Sequence, residues 1–252
     1  MALFGNSSNP TIKDSIFTKV KDLAYSGPTM TVKGSVIKTF ILLSLTVVSA
    51  SYTWYLFSTG TNLSSWMYGG IIAGFILSLI ISFSPRTAPY LSQLYAVAEG
   101  LALGALSVYF ENAFAEIYPG IVSSAVALTL LTALIMLFCY QTRLIKVTNK
   151  LRSIITVAVI SALAFYSIIL ILSLFKVSTA FFHSSSLLSI GISLLLVVIA
   201  SAMLLLNFDF IEKGSKSNVP KYMEWYGAFA VLATLIWLYI EILNLLSKIA
   251  RR

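Results

Sequence analysis

Apolar residues arrive in seven long runs, roughly 36–57, 64–84, 90–110, 119–140, 153–175, 186–210 and 225–247, with short polar links between them. A spanning helix needs about 20 mostly apolar residues, and each run meets that length. The pattern predicts an all-α membrane protein with seven transmembrane helices, continuous from residue 36 to 252. The runs follow one another without a soluble insertion. Residues 1–35 are polar and carry no short apolar stretch followed by a small-residue cleavage site, so they are expected to form a cytoplasmic N-terminal arm. Within that arm, PTMTVKGSV reads as a short ordered approach to the first helix. Small residues inside the runs, as in GGIIAG and EGLALGAL, suit close helix packing. Trp54, Trp66, Trp225 and Trp237 fall mostly toward run ends, where indole rings favour the interface.

Composition agrees with this pattern. The chain has 252 residues, 58% of them hydrophobic and only 10% charged. Globular domains carry about 25% charged residues. The net charge of +8 does not point to nucleic acid, because the basic residues sit in the links rather than on one face. Lys13, Lys19, Lys21, Lys33 and Lys38 precede or open the first run. Arg86 follows the second, Arg143, Lys146, Lys150 and Arg152 follow the fourth, and Lys213, Lys216 and Lys221 follow the sixth. The alternate links hold only Lys176. This asymmetry places the N terminus inside a cell (inner) membrane and, with seven crossings, the C terminus outside. Lys248, Arg251 and Arg252 run against that rule; a full crossing of the seventh run is favoured over a re-entrant segment.

Catalytic chemistry has little to work with. One cysteine, Cys139, and one histidine, His183, exclude an intrachain disulfide and a zinc site. Cys139 reads as a small core residue and His183, in FFHSSS, as an interfacial one. No nucleophile motif, phosphate loop or histidine cluster is present, so an enzyme is not expected. No cofactor and no dedicated metal site is expected.

The acids are more informative. Asp209 closes the sixth run in LLLNFDFIEKG, and Glu241 lies inside the seventh in TLIWLYIEILNLL. An ionised carboxylate in hydrocarbon costs at least ~2.5–3.5 kcal/mol on insertion scales, so such a group lines a cavity or meets a partner. Thr234, Trp237, Glu241, Asn244 and Lys248 recur at steps of three and four and share one helix face. Glu99 opens EGLALGALS in the third run, where a packing face is slightly favoured over a transport role. Glu212 and Glu224 bracket the basic link after the sixth run, where balancing Lys213 and Lys221 accounts for them. Two carboxyls sharing a low-dielectric site cannot both ionise easily and hold one proton between them. The same oxygens bind a hard cation such as calcium, so protons and cations compete. Contact between Asp209 and Glu241 requires the sixth helix to continue past Asp209 and the seventh to enter the hydrocarbon late.

NFDFIEKG, LYIEILNLL and AEGLALGAL, in this order on a seven-span frame, resemble the Bax inhibitor-1 family, also called the transmembrane BAX inhibitor motif family, and its bacterial branch in particular. The resemblance covers most of the seven runs. It implies six helices around a central seventh, and a pH-sensitive calcium leak gated by a buried carboxylate pair. By motif, the pair falls on Asp209 and Glu241, where the family commonly has Asp at the second position. Arg86 falls near a family arginine able to pair with the sensor, and Glu99 and Asn244 are supporting positions. The partners implied are the lipid bilayer, protons and calcium as the transported ion. The alternative is a non-transporting modulator that binds a membrane protease or another membrane protein.

Overall fold

A computed structural model describes residues 27–177 and 184–252. His183 and the first 26 residues of the arm lie outside the described residues. Seven helices long and apolar enough to cross a membrane are found among the described residues. They are α1 (Val32–Ser58), α2 (Ser64–Phe83), α3 (Ala88–Ala113), α4 (Ile121–Gln141), α5 (Asn149–Leu174), α6 (Leu187–Lys216) and α7 (Met223–Ala250). A 3-10 turn, Pro85–Thr87, leads into α3. The chain is an all-α, seven-span membrane protein.

Two helices start ahead of their apolar runs because polar caps, not hydropathy, fix the first turn. Thr31 caps α1 with its hydroxyl accepting from Gly34 N, so the helix starts four residues before the hydrophobic run. Thr148 does the same for α5 through Leu151 N. The sixth helix continues beyond Asp209 to Lys216. It ends where Asn218 takes a left-handed backbone, φ 51°, a conformation Asn tolerates after a helix.

The chain divides into two compact units. The first holds the segments up to Asn112 together with Asn207–Ala233. Its organising feature is α3, which meets α1 and α2 through glycines. A Cβ on Gly100 would collide with Ser49 and Thr46 of α1, and one on Gly104 with Thr53 and Ala50. Gly70 of α2 likewise abuts Ala98 and Ala102. The Thr46 hydroxyl bridges the α1–α3 seam to the Ala96 carbonyl, 3.2 Å. With lipid as apolar as Leu, such close backbone approach gains dispersion contact that hydrophobic burial cannot supply. Tyr95 stacks edge-on against Phe229, centroids 4.9 Å apart.

The second unit holds Ala113–Leu206 and Thr234–Arg252. On α4 and α5, large residues such as Leu134, Phe138, Leu163 and Leu170 are exposed, a surface suited to acyl chains. The α7 segment here is buried on several sides: Leu235, Ile236, Leu238, Ile242 and Leu243 are covered along with the polar positions. Of the seven helices, α7 is the most buried.

Candidate functional site

Glu241 is the more enclosed of the two candidate sensor acids, with 2% of its surface exposed. Its carboxylate accepts from the Tyr166 hydroxyl of α5 and from Trp237 Nε1, one turn earlier on α7, at 2.8 Å. Trp237 is half-buried and serves as a donor to Glu241. The i, i+4 spacing on α7 puts the indole directly beneath the carboxylate. Protonation rewrites this cluster. A carboxylate only accepts, whereas a carboxylic acid must also place a proton.

The polar face read from sequence is present. Thr234, Glu241, Ser247 and Lys248 are buried and Asn244 is half-buried. The Asn244 carbonyl accepts from the Ser247 hydroxyl, 2.8 Å. Lys248, only 9% exposed, places its ammonium 2.7 Å from Ser193 Oγ and 3.3 Å from the Ser189 carbonyl of α6. Arg251 stacks over Phe114 at 5.0 Å. Two of the three C-terminal charges that ran against the positive-inside pattern thus find partners within the protein.

In the first unit, Asp209 is 7% exposed and pairs with Lys213 one turn later, Oδ2 to Nζ 2.9 Å. Glu212 pairs with Lys216. Glu224 does not balance the link lysines as expected. It pairs instead with Lys38 of α1 and accepts from Thr31 N at 2.9 Å and from Thr31 Oγ1 at 2.8 Å. Folding brings PTMTVKGSV against the α6–α7 link: Thr29 and Pro220 form an antiparallel bridge, and Met30 N donates to the Val219 carbonyl, 2.8 Å. Sequence spacing could not show this, because 186 residues separate Lys38 from Glu224.

Glu99 is half-buried, and its carboxylate lies over Gly74 of α2, where a Cβ would collide with it. Arg86 stands exposed on the 3-10 turn and, among the described residues, makes no ion pair. Cys139 is free and half-buried. No group of three or more His, Cys, Asp and Glu able to hold a metal is found among the described residues. Tyr166, Ser189 and Ser193 were not singled out from the sequence. Tyr166 had a signal: a phenol inside the apolar run ISALAFYSIIL needs an acceptor once buried.

A membrane bundle with carboxylates held on interior helix faces defines the class. The family model described as Bax inhibitor 1 like matches residues 9–251, and the chain belongs to that family. No curated protein and no solved structure matches it.

Proposed function

We propose that the protein is a pH-sensitive calcium leak, with Asp209 and Glu241 as its proton-exchangeable acids. The observation that carries this reading is the Glu241 carboxylate, sequestered on a crossing helix and facing two donors. A carboxylate at that depth is a functional position by default, since apolar packing alone would not retain it. Its oxygens suit a hard cation, and a proton competes for them. At Asp209, protonation would release the Lys213 ammonium, which is already 40% exposed. Each acid thus has a local contact that depends on its charge.

Purified protein in calcium-dye-loaded vesicles, assayed across a pH series, tests this. Asp209→Asn and Glu241→Gln are each expected to change both the flux and its pH response. Unaltered flux and pH response in both variants reject the mechanism.

The second reading, a non-transporting modulator of a membrane protease or other membrane protein, draws on one observation. Pro28–Thr31 is docked on the α6–α7 link, which gives the preceding arm a fixed point of departure. Deletion of residues 1–26 then abolishes co-purification of the partner while leaving any leak intact. Flux without a co-purifying partner excludes this reading.

A further inference from the structure

Lys248 has no part in the function proposed above, yet it is the most enclosed cation the sequence reading placed on the polar face of α7. Its ammonium is held by oxygens: Ser193 Oγ at 2.7 Å and the Ser189 carbonyl at 3.3 Å. Ser189 and Ser193 are themselves buried, 0% and 2% exposed, one turn apart on α6. A lysine near a helix end ordinarily extends its ammonium to the interface. This one turns inward and its charge interacts with Glu241, seven residues earlier on the same helix face. Seven residues span about 10.5 Å along the axis.

The other groups on this face are Thr234, Trp237, Asn244 and Ser247 of α7, with Tyr166 of α5 at the Glu241 end. None of these carries a positive charge at neutral pH. Lys248 is therefore the positive charge of this row, beyond which Arg251 lies over Phe114.

We propose that Lys248 is a tethered counter-cation that weakens the hold of Glu241 on mobile divalent ions and so sets the charge selectivity of the leak. The inference rests on the leak reading. A fixed ammonium two turns from a carboxylate supplies part of the positive potential that a calcium ion would otherwise provide. It also repels a divalent ion twice as strongly as a monovalent one. The serines hold the ammonium in place: one hydroxyl and one carbonyl offset the loss of water around a group with three donors.

The test uses full-length protein in vesicles with Lys248→Met, Lys248→Gln and Lys248→Arg. Gln keeps a hydrogen bond to Ser193 without the charge, so a folding defect confined to Met leaves the test intact. One arm measures calcium and sodium flux. The other measures modification of Glu241 by dicyclohexylcarbodiimide, by mass spectrometry, and its protection by calcium. Met and Gln are expected to raise calcium flux relative to sodium roughly tenfold, the scale of one unit-charge interaction at that separation in a medium of effective dielectric about 20. They are expected to lower the calcium concentration that protects Glu241 roughly a hundredfold, since a divalent ion feels twice that interaction, and Arg to retain wild-type behaviour. A wild type that conducts no cation defeats the leak reading, while calcium protection of Glu241 still decides the role of Lys248. Unchanged protection and selectivity in Met and Gln overturn the inference, as does an Arg variant as altered as Met.

Discussion

The carboxylate of Glu224 lies directly over Gly34, in the space where any other residue would carry its Cβ. The absent side chain lets the Glu224 oxygens reach Thr31 N, Thr31 Oγ1 and Lys38 Nζ together. One glycine at the third position of α1 thus fixes an ion pair at the start of α7.

Breaking this arrangement is costly, since Glu224 is 1% exposed and removal of one partner strands the other charge. Glu224→Ala is expected to destabilise by ~3–5 kcal/mol, the usual cost for a buried pair. Gly34→Ala is expected to act in the same direction by displacing the carboxylate. Thermal unfolding in detergent, followed by circular dichroism, reads both. Lys213→Met serves as the contrast: its ammonium is 40% exposed and its pair is local to one helix, so a smaller loss than at Glu224 is expected.

Pro28–Thr31 is a docked part of the arm. Deleting residues 1–26 retains the Thr29–Pro220 bridge and the Glu224 contacts, and is expected to leave the melting temperature unchanged. Deleting through residue 31 removes them and is expected to lower it sharply. Equal melting of the two truncations would rule out the docking.

Glycines divide into those that make seams and those that do not. Gly104→Val drives a side chain into Thr53 and Ala50 and is expected to cost at least ~1–3 kcal/mol. Gly191 of α6 has open space around its Cβ position, so Gly191→Ala is expected to stabilise by about 0.4–1 kcal/mol through the unfolded chain. Denaturation of the two variants side by side would show opposite signs.

Tyr166→Phe deletes one donor to Glu241 and leaves a buried acceptor short of a partner. A loss of ~1–3 kcal/mol is expected. Trp237 keeps its own bond to the same carboxylate, so its emission is expected to shift in Tyr166→Phe and further in Glu241→Gln. An emission spectrum indifferent to both variants would contradict this geometry.

The crossings were legible in the sequence because lipid imposes a length of apolar residues that no soluble helix needs. The glycine seam at Gly100 and Gly104 was legible for a related reason: small residues four apart leave a groove on one helix face. So was the polar face through Glu241 and Lys248, since helical period alone aligns it. What the chain did not reveal was which elements supply the partners. Glu224 was assigned to neighbouring lysines because sequence proximity is the only proximity a sequence displays. Its true partners lie at the far end of the chain in sequence. Ser189 and Ser193 were hidden for the same reason, each an ordinary polar residue in an oily run until a charge on another helix meets it.

The moorings of α7 limit how it can work. Glu224 anchors one end to α1 and Lys248 anchors the other to α6. Within the second unit the Lys248 pin lies two turns from Glu241, so a lengthwise stroke there of even one helical turn, about 5.4 Å, would tear the ammonium from its serines. Movement at Glu241 that spares this pin is therefore a flexing or swivelling of the stretch that carries the carboxylate.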